Sequence, residues 1–131
     1  MRFGAYIRKK RLADPRELTM RDIAEHLNLS IPYISYVENG NKKPYDGEIL
    51  EKLAEFLNLT EEETALMYDL AGKESRAVPY DLEDTLMHED VGDLILYAAR
   101  QTKAGYIKEE DWKTFIRQKE EEKKKNAMKE V

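Results

Sequence analysis

Apolar residues recur at steps of three and four along most of this chain, and proline interrupts that rhythm at only four positions, Pro15, Pro32, Pro44 and Pro79. A period near 3.6 marks helices with one buried face, whereas a half-buried strand needs strict alternation. The pattern predicts an all-α fold. The 131 residues suffice for one ordinary domain, or for a small domain with an appendage.

The turn chemistry divides that rhythm into elements. Phe3, Tyr6 and Ile7 define the inner face of a first helix ending near Ala13. Thr19, with Asp22 three residues on, reads as the cap of a second helix whose apolar face is Ile23, Ala24 and Leu27. Asn28-Leu29 breaks it, because asparagine tolerates the left-handed conformation that stops a helix. Ser30 caps a third helix, with Pro32 in the first turn, where a missing N–H costs nothing. Ile34 and Val37 point inward from it, and Asn39-Gly40 closes it. A fourth helix is predicted over about 46–57. A fifth opens at the Thr60–Glu63 capping box and runs through Leu70, with Gly72 as its stop. Residues 1–72 are thus expected as one domain, 73–79 as a linker, and 80–131 as a helical C-terminal region with stretches over about 80–88, 91–104 and 109–126.

Several chemistries are excluded by composition. There is no cysteine, so disulfides, thiolate metal sites and cysteine nucleophiles drop out. The two histidines, His26 and His88, are 62 positions apart, which argues against a histidine metal site. No Gly-rich phosphate loop or nucleophile elbow is present, so the chain reads as a binding protein and not an enzyme, needing neither metal nor cofactor. No apolar run reaches the roughly 18 residues of a membrane span, and Met1-Arg2-Phe3 leads into charged sequence without a signal peptide. The expected setting is the cytoplasm, with no membrane contact.

Charge is distributed unevenly. The net charge is −5, yet residues 1–45 carry nine Lys/Arg against five Asp/Glu, while residues 46–131 carry 13 against 22. An acidic protein can still dock a polyanion through a local basic face. Within that basic third, the helices predicted over 19–27 and 30–39 are joined by a turn too short to let them run side by side, so one projects from the other. Arg8–Arg11 and Lys42-Lys43 flank the pair. A projecting α-helix fits the B-DNA major groove, with lysines and backbone N–H groups holding phosphates.

The segment Thr19-Met20-Arg21-Asp22-Ile23-Ala24-Glu25-His26-Leu27-Asn28-Leu29-Ser30-Ile31-Pro32-Tyr33-Ile34-Ser35-Tyr36-Val37-Glu38-Asn39-Gly40 resembles the core of the XRE family, the phage lambda-repressor/Cro-like helix-turn-helix regulators. The likeness extends over about residues 1–72 and implies a five-helix DNA-binding domain. It places Ile31, Pro32, Ser35 and Tyr36 at base edges. Phosphate contacts fall to Met20 through its amide, to Tyr33, Asn39 and Asn41, and to Lys42 and Lys43 in the loop after the third helix. It also implies a structural ion pair between Arg11 and Glu38. Met20 departs from the family's usual glutamine, and Ile31-Pro32 departs from its usual polar pair. Apolar contact, as with thymine methyls, is what Ile31 and Pro32 offer instead of hydrogen bonds.

Residues 80–131 carry no comparable motif. Leu94, Ile95, Trp112, Phe115 and Ile116 recur at helical spacing in a region too small for a large core of its own. Operators of this family comprise two half-sites, so the region is expected to form a homodimer. The resulting reading is a dimeric, sequence-specific repressor of transcription. The alternative is a protein-interaction module, an antitoxin or anti-repressor neutralising a protein partner through Ile31-Pro32 and an acidic C-terminal tail.

Overall fold

The computed structural model describes residues 1–129, and among these every regular element is helical. The helices are α1 (Phe3–Ala13), α2 (Met20–Leu27), α3 (Ile31–Glu38), α4 (Gly47–Phe56) and α5 (Glu61–Ser75). A 3₁₀ turn (Tyr80–Leu82), α6 (Glu83–Met87), α7 (Val91–Lys103) and α8 (Glu109–Lys129) follow. The chain divides into two compact units, Met1–Glu83 and the part from Asp84 onward.

In the first unit, local chemistry sets the helix ends. Thr19 and Asp22 cap α2 reciprocally: the Asp22 N–H donates to Thr19 Oγ1 at 3.2 Å, and the Thr19 N–H donates to Asp22 Oδ2 at 2.8 Å. Asn28 ends α2 in the left-handed region, and the Tyr33 N–H donates to the Ser30 hydroxyl at the start of α3. Thr60 and Glu63 repeat the reciprocal cap on α5. Phe3, Ile7, Ile23, Ile34, Leu53 and Met67 fill the middle of the core. Gly4 lets α1 lie directly on the carbonyl end of α3, since a β-carbon there would strike the Val37 and Glu38 carbonyls.

The C-terminal edge of this unit differs from the turn reading. Gly72 is not the stop of α5, which continues to Ser75 with Arg76 as its left-handed cap. Gly72 is buried inside the helix because the Ala77 carbonyl and Pro79 pass over it. The extra turn brings Glu74 to the start of α1, where its carboxylate accepts from the Phe3 N–H at 2.9 Å. Tyr80 then stacks on Tyr68 with ring centroids 6.1 Å apart and lies over Gly47.

In the second unit α7 and α8 are linked by a side-chain bond near their connecting turn. The Trp112 indole N–H donates to the Thr102 hydroxyl at 2.9 Å, and that hydroxyl donates to the Ala98 carbonyl. Most of its other large apolar residues are open to solvent: Leu94 is 70% exposed and Tyr97 64%, with Val91, Phe115 and Ile116 also exposed, while Leu86 and Ile107 are half-buried. Among the described residues no helix is long and apolar enough to cross a membrane.

Candidate nucleic-acid interface

Helix α3 is positioned by what it buries. Ile34, Val37 and Glu38 face the core, the first two completing the apolar centre. Glu38 is held by Arg11 of α1 in two parallel bonds, Nε to Oε2 and Nη2 to Oε1, both 2.9 Å, while Arg11 Nη1 donates to the Leu18 carbonyl. This fork–fork geometry fixes both distance and rotation between the helices. Burial pushes the phenol of neighbouring Tyr45 upward, and the Glu38 carboxylate adds to that shift.

With that face inward, the helical period turns Ile31, Pro32, Ser35, Tyr36 and Asn39 to one common outer face. Ile31 is 37% exposed and Tyr36 49%; Pro32 and Asn39 are exposed, and Ser35 is half-buried. Asn39 Nδ2 donates to Ser35 Oγ at 3.3 Å. Tyr33 lies on the flank, half-buried with its ring 5.8 Å from that of Tyr45.

Around this face stand the remaining residues singled out from the sequence. Met20 opens α2; its side chain packs on the core, while its amide sits in the first turn, where N–H groups lack intrahelical acceptors. Asn41 is tied to α3 by its N–H on the Tyr36 carbonyl at 2.8 Å, and its side chain is exposed. Lys42 and Lys43 follow it, both exposed. The structure therefore brings Ile31, Pro32, Ser35, Tyr36 and Asn39 onto one face, with the two lysines just beyond its C-terminal end. Arg11 and Glu38 lie beneath it.

Two features lay outside the sequence reading. The Ser35–Asn39 bond was not anticipated, although an i, i+4 Ser/Asn pair on a helix is a readable signal. The acidic excess also has a different address. Residues 46–83 hold 11 Asp/Glu against three Lys/Arg, whereas residues 84–129 hold ten of each. Most of the acidity belongs to the α4–α5 part of the first unit, and residues 84–129 are balanced, so the C-terminal tail carries little of it.

A helix-turn-helix with its second helix exposed and flanked by lysines defines a class: regulators that bind double-stranded DNA. The helix-turn-helix family model matches residues 7–63, and this part of the chain is an XRE, lambda-repressor-like helix-turn-helix domain. No curated protein and no solved structure matches the chain.

Proposed function

We propose that the protein is a dimeric transcriptional repressor that reads its operator in the major groove with the helix over 30–39, and that it acts in the cytoplasm by binding and not by catalysis. The observation carrying this reading is the common outer face of α3, bordered by Lys42 and Lys43. Ile31, Pro32, Ser35 and Tyr36 meet base edges. Phosphates are held by Lys42, Lys43, Asn41, Asn39, the Met20 amide and the Tyr33 hydroxyl. The DNA-binding domain comprises residues 1–72, the linker over 73–79 is a packed extension of it, and residues 80–131 join two chains.

Dimerisation is supported by the apolar residues exposed on α7 and α8, since a patch of this kind marks an interaction surface in a well-behaved protein. Residues 84–129 carry ten acidic and ten basic side chains, which limits repulsion between two copies.

Selection of duplexes from a random pool tests the function. Enrichment of a palindromic motif supports a dimeric reader, and the slope of log affinity against log salt counts the phosphates engaged. Binding without sequence preference overturns the repressor reading.

A further inference from the structure

The outer face of α3 is unusual in what it lacks, and this limits which base it can read. Guanine is recognised by the two-pronged donors of Arg or Lys, adenine by the amide of Asn or Gln, and cytosine by a carboxylate acceptor. Ile31, Pro32, Ser35 and Tyr36 include no cation, no amide and no carboxylate. Glu38, the acidic residue of this helix, is buried against Arg11. The one amide, Asn39, sits at the C-terminal end of the helix and is engaged with Ser35.

What the face does offer is apolar surface and a directed hydroxyl. Ile31 and Pro32 are adjacent at the start of α3, and Ser35 lies within one turn of both. Ser35 Oγ accepts from Asn39 Nδ2, which leaves its own proton available as a donor. An apolar contact beside a hydroxyl donor matches one base edge in the major groove: the C5-methyl and O4 acceptor of thymine.

We propose that α3 is a thymine reader. Ile31 and Pro32 pack against the C5-methyl, Ser35 donates to O4, and Asn39 is the positioning residue, one amide proton orienting the Ser35 hydroxyl and the other left for a phosphate. This rests on the operator-binding reading and adds the identity of the base to it.

The test uses the full chain and the duplex enriched from the random pool. Each thymine is replaced in turn by deoxyuridine, which removes the methyl and keeps O4. At one or two positions per half-site, affinity should fall about fourfold, the equivalent of one apolar methyl left unburied. Ile31→Ala and Pro32→Ala should erase that difference, and circular dichroism confirms that the variants are folded. Replacing the same thymine by 5-methylcytosine, paired with guanine, keeps the methyl but exchanges the O4 acceptor for an amino donor. Wild type should reject it, and Ser35→Ala and Asn39→Ala should reject it less.

Deoxyuridine without effect at every thymine overturns the proposal while leaving DNA binding intact. So does a methyl effect that survives undiminished in both apolar variants. A pool yielding no enriched duplex overturns the operator-binding reading itself, and the base assignment with it.

Discussion

Arg11 and Glu38 meet in a two-pronged ion pair within the core, with both N–O distances 2.9 Å, and so tie the first helix to the far end of the third. Removing one member leaves the other buried without its counter-charge, and such losses cost about 3–5 kcal/mol. Glu38→Ala should therefore lower the unfolding free energy by that order in urea titration. Exchanging both residues for apolar ones of similar size should recover much of the loss, because the desolvation cost disappears with the charges. An unaltered urea midpoint for Glu38→Ala would contradict the role given to the pair.

The C-terminal turn of α5 is a second structural joint. Glu74 accepts from the Phe3 N–H at 2.9 Å and also pairs with Arg2, so it serves as a remote cap for α1. Glu74→Ala should cost on the order of 1 kcal/mol, the usual loss for a helix cap. In thermal unfolding that corresponds to a drop of about 4–8 °C for a domain of this size. A fragment ending at residue 72 should melt lower still than one ending at residue 83, since it also loses Tyr80 from its stack on Tyr68. Equal melting of the two fragments would show that the packed extension contributes nothing.

These two joints differ in how far the sequence announces them. Caps declare themselves locally: Thr19 with Asp22, Thr60 with Glu63, Ser30 and the left-handed Asn28 are legible within four residues. The Arg11–Glu38 pair spans 27 positions and was reachable by family resemblance alone. Gly72 misleads because glycine both stops helices and admits close neighbours, and it is the later chain at Ala77 and Pro79 that decides between these roles. Glu74 and Phe3 are 71 positions apart, a contact that no local pattern encodes. On α3 the helical period was enough to sort inner from outer residues, but the Ser35–Asn39 bond depends on side-chain conformation.

Acid should weaken the fold through Glu63. The Lys10 ammonium and the Thr60 N–H hold its carboxyl at about 2, below its ordinary 4.5. Arg16 holds Asp14 at about 2 in the same way, from an ordinary 3.8. A carboxylate with a depressed value stabilises the folded state above its unfolded value, and that contribution fades as pH falls through the folded one. The melting temperature should therefore decline as pH drops from about 4.5 towards about 2. Glu63→Gln should flatten this decline, and added salt should shrink it, because both pairs reach solvent. A variant as acid-sensitive as wild type would remove Glu63 from the explanation.

Anchors and readers should separate in binding data. Lys42→Ala or Lys43→Ala should weaken binding to all duplexes alike and reduce the salt slope by about one. Ser35→Ala or Tyr36→Ala should instead relax discrimination between operator and mismatched duplex, with the slope nearly unchanged. A lysine variant that alters sequence preference would place that side chain in the groove and away from the backbone.

The exposed apolar residues of α7 bear on assembly. Val91, Leu94 and Tyr97 are open to solvent on α7, whose bond to α8 uses Thr102 and Trp112, a different pair of side chains. Two helices that face water this way are stabilised by removing that surface from it, at about 25 cal/mol for each Å² of apolar area buried. Light scattering should then give twice the chain mass at both low and high salt, because the contact is apolar and residues 84–129 carry equal numbers of cationic and anionic side chains. Leu94→Glu should give a monomer whose first unit melts as before. Its operator affinity should fall, because each half-site must then be bound independently. A monomeric wild type at high micromolar concentration would exclude self-association through this region, and a Leu94→Glu dimer would place the interface on other residues.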